Sequence, residues 1–461
     1  MSGATTGKFG IYYSKEKAYQ NQRVGNFKLF SKKYIVKLFL YYLLFSLKSR
    51  IEKDAYGGAQ PNISSTKIEA ISFQLPPLLV QKAIVAKLES LLTNLDQGIV
   101  SLEKAAAQLK IYRQAVLKKA FEGELTKAWR AQQTDLPSAE ELLAQIKEER
   151  QKHYEQQVKD WEQAVVDWEA EGKVGRKPSK PKKLKELLPI SKEEIKELGD
   201  LPVIWTVCFS EAISEFITKG TTPNKKDLSE KVGDVPFIKV YNLTFNGTLD
   251  FSINPTFVSK EVHNKFLKRS IIYPNDILMN IVGPPMGKVS IVPASHKEWN
   301  INQAIVRFRP FNLITTKYLS YFLMNSYTIH RLTKKSKATA GQFNLTLEIC
   351  RSVVLPICSK REQIQIVQEI ESRLSVCDNL AETIKTNLQK AKALRQSILK
   401  KAFEGRLLTD VELAACRAAP DYEPAAVLLE RIKKEKAERA ALAKAAKEKA
   451  KKTKKKKQIK K

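Results

Sequence analysis

Residues 113–126 read RQAVLKKAFEGELT and residues 395–409 read RQSILKKAFEGRLLT, and this duplication governs how the 461-residue chain is built. A repeat constrains the fold before any single element does, because each copy must solve the same packing problem. At a constant offset of about 282 residues, the step from Arg113 to Arg395, the likeness extends beyond the shared core. Gln60-Pro61-Asn62-Ile63 aligns with Gln342-Phe343-Asn344-Leu345, Ile84-Val85 with Ile366-Val367, and Glu89-Ser90 with Glu371-Ser372.

The spacing of apolar residues says what is repeated. The first copy carries Val85, Leu88, Leu92, Leu95, Ile99, Leu102, Ala106 and Leu109; the second carries Val367, Ile370, Leu374, Cys377, Ala381, Ile384, Leu388 and Ala391. Alternating steps of three and four over several heptads mark a coiled-coil seam. Both stretches close on Phe-Glu-Gly, at Phe121 to Gly123 and Phe403 to Gly405, and glycine is the usual helix stop. Two long helices packed against each other are expected, the alternative being a single amphipathic helix on a globular core. At ~1.5 Å per residue, Val85 to Leu117 would span about 50 Å.

Hydrophobic residues make up 43% of the chain, enough for real cores, and its length suggests about three domains. No signal peptide is legible. The apolar run Tyr34 to Leu47 is too short for a membrane span and contains Lys37, so it reads as a buried helix. Cys208, Cys350, Cys358, Cys377 and Cys416 form no C-x-x-C pair and read as reduced thiols of a cytoplasmic protein. The four histidines, His153, His263, His296 and His330, are scattered and predict no metal site. The formal net charge is +31, of which residues 432–461 supply fourteen Lys and one Arg against three Glu. The rest of the chain is still strongly basic, which favours a polyanionic partner, above all nucleic acid.

Taken in order, residues 1–75 carry Gly7-Lys8, Asn21-Gln22, an apolar stretch and Gly58-Ala59-Gln60. The same order recurs as Gly287-Lys288, Asn302-Gln303, Tyr318 to Leu323 and Gly341-Gln342. The first 75 residues therefore read as a copy of the back half of residues 201–355 and lack its front half, a partial domain. Residues 76–130 form the first long helix, entered through Pro76-Pro77. Residues 131–200 are a charged helical segment, capped by Ser138 with Glu141 three positions on, followed by a basic linker from Lys173 to Lys185. Residues 201–355 form one complete mixed α/β domain with short strands, turns at Gly220-Thr221-Thr222-Pro223, Asn246-Gly247 and Pro274-Asn275-Asp276, and a closing helix near 316–330. Residues 356–408 are the second long helix, and residues 409–461 a short helix with a lysine-rich tail. The fold class is α+β.

Catalytic patterns fail. Gly283-Pro-Pro-Met-Gly287-Lys288 is one residue short of a phosphate loop, and its prolines remove the backbone donors such a loop needs. No glycine fingerprint for a dinucleotide follows a strand, and no nucleophile–base set is suggested. The chain is expected to catalyse nothing by itself.

The doubled arrangement resembles the specificity subunit of type I restriction-modification enzymes. Its carriers are Gln81 to Val85 and Gln363 to Val367 opening the helices, K-K-A-F-E-G closing them, and Leu201-Pro202…Trp205, Gly220-Thr221-Thr222-Pro223, Pro236-Phe237-Ile238…Asn242, Asp276-Ile277-Leu278, Gly287-Lys288, Asn302-Gln303 and Gly341-Gln342 between them. The resemblance implies two target recognition domains, each reading half of a bipartite DNA sequence, separated by two conserved helices in an antiparallel coiled coil. It implies docking of modification (methyltransferase) subunits on those helices and association with the restriction (endonuclease/translocase) subunit. No cofactor is expected on this chain; S-adenosylmethionine, ATP and Mg would belong to the partners. The role would be defence against foreign DNA. With a partial first domain, the chain is expected to specify one half-site; a separate upstream fragment, self-association through the helices, or a true start upstream of a shortened reading frame are the three routes to a second.

Recognition needs cations on phosphates and polar groups on base edges. The loop candidates are Lys219, Thr221, Thr222, Lys225, Lys226, Lys239, Tyr241, Asn242, Lys268, Arg269, Lys288, Lys334 and Lys335. The rival reading is a non-catalytic basic coiled-coil scaffold that binds nucleic acid without sequence preference.

Overall fold

In the computed structural model the described residues are 8–458, apart from 13, 15, 22–23, 28, 30, 32, 56–62, 185, 187–188, 231, 337 and 340–341. Of the early repeat motifs, Gly7, Gln22, Arg23, Gly58 to Asn62 and Gly341 lie outside the described residues. The chain divides into two compact units, residues 1–106 with 382–461, and residues 107–381. Each long helix, Leu78–Phe121 and Lys360–Phe403, is 44 residues and contributes one half to each unit. Both end at a left-handed glycine, Gly123 at φ 77° and Gly405 at φ 74°.

In the unit of residues 1–106 and 382–461, Val80, Ile84, Val85, Leu88 and Leu92 pack against Ile398, Leu399 and Ala402. Further along, Arg395 is ion-paired with Asp96, which makes the two helix segments antiparallel. Short helices Lys37–Ser46 and Lys48–Asp54 cover one end, with Phe39, Leu43 and Ile51 buried. The first begins at Lys37 rather than Tyr34 because the buried Gln81 side chain holds its entrance. Gln81 Oε1 accepts from the Val36 N–H at 2.9 Å, and Nε2 donates to the Tyr34 and Pro76 carbonyls at 3.0 and 2.9 Å. Helices Asp410–Ala418 and Ala425–Gln458 complete the unit, and Lys87 bridges to Glu412 at 2.6 Å.

The unit of residues 107–381 repeats that plan and adds sheets. Val116, Leu117, Ala120 and Phe121 share a core with Ile366, Val367, Ile370 and Leu374. Arg113 pairs with Asp378, the same two positions of the repeat as Arg395 and Asp96. Gln363 is the counterpart of Gln81. Its Oε1 accepts from the Thr315 N–H at 2.9 Å, and Nε2 donates to the Leu313 and Cys358 carbonyls at 3.2 and 3.0 Å. It thereby starts the helix Thr316–Met324, which gives way at Asn325 to Ser326–Lys335.

The seam is not uniformly dry. Leu95, Ile99, Leu102, Ile384 and Leu388 are only half-buried, and Ala381 is exposed, although the heptad pattern places all of them alike. Two helices cover only one side of each other, so burial becomes complete where a third element joins them. Cys377 is buried on the seam, and all five cysteines are free.

The strands of this unit, in chain order, are β1 (Thr206–Phe209), β2 (Ser214–Lys219), β3 (Ser229–Glu230), β4 (Val235–Ile238), β5 (Thr256–Val258), β6 (Ile271–Ile272), β7 (Ile277–Asn280), β8 (Val282–Gly283), β9 (Val289–Ile291), β10 (Trp299–Ile301), β11 (Ile305–Pro310), β12 (Ala338–Thr339), β13 (Gln342–Asn344) and β14 (Val354–Ile357). They form sheets in the orders β2-β11-β7-β9, β3-β5-β4-β10-β6, β12-β13-β8 and β1-β14. The runs Val235 to Ile238 and Ile277 to Asn280, buried at every position, are internal strands of their sheets. Helix Ala139–Ala170, with Ser138 and Glu141 in a capping box, buries Leu142 and Ile146. The basic stretch after it folds back. Trp161 Nε1 donates to the Pro178 carbonyl at 3.1 Å, and Lys180 lies 5.2 Å from the Trp161 ring.

Candidate nucleic-acid interface

Register brings the candidate loops to one rim of the residue 107–381 unit. In the four-stranded sheet Lys219 opposes Val306, Asn280 opposes Ile305, and Val289 opposes Met279. The end of β2, the start of β11, the end of β7 and the start of β9 therefore share an edge. In the five-stranded sheet Ile301 pairs with Ile238 and Asn300 with Ile271, which aligns the ends of β4 and β10 with the start of β6. Strand β10 passes into β11 through Asn302-Gln303-Ala304, so the two edges are continuous.

On this rim the Gly220-Thr221-Thr222-Pro223 turn is tied down by one backbone bond and one to a side-chain hydroxyl. Thr221 N–H donates to the Ile301 carbonyl at 3.2 Å, and Thr222 Oγ1 accepts from the Gln303 N–H at 3.3 Å. Lys219, Thr222, Lys225 and Lys226 are exposed along it, and Lys268 and Arg269 are exposed just before β6. Among the described residues none of these five cations has a carboxylate within ion-pair distance. At the opposite edge of the four-stranded sheet the cations are spent internally. Arg309 binds buried Asp276 through two bonds of 2.7 and 2.8 Å, and burial pushes Arg307 down to about 10 against the pull of the same Asp276.

Several candidates hold the rim together instead of facing outward. Asn242 is 1% exposed. Its Oδ1 accepts from the Lys239 N–H, and its Nδ2 donates to the Asp250 and Ile253 carbonyls, so it shapes the loop and has nothing left for a base. Tyr241 spends its hydroxyl on the Asn254 carbonyl at 3.1 Å, and Lys239 lies 5.9 Å from its ring. Lys288 donates to the Val240 carbonyl at 3.3 Å and lies 5.9 Å from the Phe245 ring. Lys334 and Lys335, both exposed, have carboxylate partners in Glu197 and Glu194 at 3.9 and 2.6 Å. Sequence reading passed over Phe245 and Phe266, which are 55% and 60% exposed beside Lys288 and Lys268. Their only signal was an aromatic next to turn residues and cations.

A positively charged rim of ordered loops suits phosphate contacts with base-edge groups between them. Among the described residues no cluster of His, Cys, Asp and Glu could hold a metal, and no helix is long and apolar enough to cross a membrane.

Duplicated helix-paired units, one of them carrying a sheet-borne basic rim, define a class of modular recognition protein. The chain belongs to the type I restriction modification DNA specificity domain family, whose model matches residues 1–104 and 202–392. It is 27% identical over 429 residues to the type I restriction enzyme EcoBI specificity subunit of Escherichia coli, covering 92% of this chain and 76% of that one. It is 24% identical to the EcoDI specificity subunit of Escherichia coli over 90% and 81% of the two chains. A solved structure from work on assembly and conformational transition of the type I R-M system shares the fold at TM-score 0.55 and 16% identity, over 82% of this chain and 73% of that one.

Proposed function

We propose that this chain is the DNA specificity subunit of a type I restriction-modification complex, with the rim around Lys219 to Lys226 and Lys268-Arg269 lying on double-stranded DNA. The reading is carried by the convergence of unpaired cations at aligned strand ends, in a chain of this family. The outer faces of the paired helices dock modification subunits, which methylate adenine with S-adenosylmethionine. The restriction subunit, using ATP and Mg, joins that complex. This chain supplies binding and register and performs no bond-making step.

Replacing Lys225, Lys226, Lys268 and Arg269 together by Gln tests the rim. Each lost phosphate contact lowers the slope of log K against log salt by about 0.9, so four should flatten it by roughly 3 to 4 and weaken binding at low salt. An unchanged slope in fluorescence anisotropy would reject this surface. Equal affinity for random duplexes, abolished by deleting the tail after residue 431, would instead favour a scaffold without sequence preference.

A further inference from the structure

Among the cations of the rim, one loop holds out an apolar group. Residues 243–249 turn back on themselves, closed by an antiparallel bridge between Leu243 and Leu249. The turn comes from Asn246-Gly247, with Gly247 at φ 89°, a conformation that glycine adopts without strain. Thr244 Oγ1 and Ser290 Oγ both donate to the Thr248 carbonyl at 2.6 Å, and Thr248 Oγ1 donates to Asn246 Oδ1 at 2.7 Å. Val289 N–H donates to the Thr244 carbonyl at 3.0 Å and Ile291 N–H to the Gly247 carbonyl at 2.9 Å, which fastens the loop to β9 at the rim. Both threonine hydroxyls are spent within the loop.

What the loop presents outward is the Phe245 ring, 55% exposed. A phenyl ring left in water gives up the stabilisation that burial would bring. The bonds that fasten the loop do not involve this side chain, so it is available to a partner. Lys288 stands over the ring at 5.9 Å and is itself tethered to the Val240 carbonyl at 3.3 Å. One face of the ring is thereby covered, while the other face and the edge stay open. The polar candidates at this end of the rim, Asn242 and Tyr241, are already bonded to backbone carbonyls of their own loop.

We infer that Phe245 is a specificity-determining residue that reads the C5 methyl group of a thymine in the major groove of the half-site. The inference rests on the rim lying on double-stranded DNA. A phenyl ring has no donor or acceptor, so it separates bases only by apolar contact or by wedging between base pairs. A wedge stacks through both faces, and Lys288 stands over one of them. Contact with a methyl group needs only the open face. Among the four unmodified bases, the thymine methyl is the apolar group displayed in the major groove, which is about 12 Å wide and admits a two-stranded loop.

The test uses the full chain, with its half-site first obtained by selecting bound duplexes from a random pool. Each thymine of the selected duplex is then replaced singly by deoxyuridine, which removes only the C5 methyl group. The unsubstituted chain should lose about fourfold in affinity at one thymine, the worth of one methyl group in apolar contact. Phe245→Ala should bind the unmodified duplex more weakly by at least that factor, and show no further loss with deoxyuridine at that position. Phe245→Leu keeps an apolar group and should retain part of the penalty. The salt slope of Phe245→Ala should be unchanged, because no phosphate contact is removed. A selected sequence without thymine, indifference to every deoxyuridine, or a penalty that survives in Phe245→Ala overturns the assignment and leaves the rim standing. A flattened slope in Phe245→Ala gives the effect to Lys288 and overturns it equally. Failure of the rim reads differently: no sequence is selected, and the four-cation Gln variant keeps the original slope.

Discussion

The same helix ending is finished in two ways within one chain. In the residue 107–381 unit a buried carboxylate organises it. Glu362, 0% exposed, accepts from Thr126 Oγ1 and Arg130 Nε at 2.8 Å each and from Trp205 Nε1 at 2.9 Å. In the other unit Val80, Leu408 and Leu413 leave an apolar hollow. The difference teaches that a repeat conserves its backbone solution, the antiparallel helices and the glutamine clamp, while the cap over it is free to be charged or greasy. A buried ion with three donors fixes one partner and one geometry. An apolar hollow accepts a class of shapes.

The largest effect should come from removing the organising charge. Glu362→Ala leaves Arg130 and the Trp205 indole without their acceptor, and breaking such a buried pair costs about 3–5 kcal/mol. Val80→Ala, the matching change, only enlarges an existing cavity and should cost about 1 kcal/mol. Native-state hydrogen exchange read separately in the two units would measure both, since the units need not unfold together. Equal losses would break the comparison. Glu362→Gln, which keeps an acceptor but not the charge, should recover part of the loss and so separate hydrogen bonding from the ion pair.

Much of this was legible in the residues. The helices follow from a seven-residue pattern repeated at a fixed offset, and Gln81 and Gln363 were visible as repeated letters at the helix openings. Their work was not, because their partners Val36 and Thr315 are distant in sequence and bonded through backbone atoms. The rim was half legible. Exposed lysines in turns announce themselves, but Asn242 and Lys288 looked the same in sequence and are consumed by the loops they sit in. Glu362 sat unmarked, since nothing local distinguishes a hub from a first-turn helix glutamate. Lys334 and Lys335 hid their ion pairs for the converse reason, their carboxylate partners lying some 140 residues upstream at Glu197 and Glu194.

A smaller effect separates the two glycines. Replacement by alanine puts a side chain into the left-handed region, at about 1–2 kcal/mol in either unit. At Gly123 the new methyl also overlaps Pro202 and crowds Arg130 Nη2, which lies 2.9 Å from the Cβ position. Overpacking of that kind adds about 1–3 kcal/mol. Gly123→Ala should therefore destabilise its unit more than Gly405→Ala destabilises the other, in matched exchange measurements.

The smallest effect tests whether the helix pairing itself is symmetric. Arg113–Asp378 and Arg395–Asp96 join the same two repeat positions, with arginine side chains 24% and 33% exposed and aspartates 65% and 55% exposed. Pairs this open contribute about 0.2–1 kcal/mol, because water screens them and two long side chains lose freedom in making them. Double-mutant cycles with Arg→Gln and Asp→Asn should give couplings of similar size at the two sites. Both should shrink in about 1 M salt, where the screening length falls to roughly 3 Å. A coupling present at one site and missing at the other would mean that the seam, unlike the glutamine clamp, is not shared by the two halves, and that the differing caps reach into the pairing of the helices.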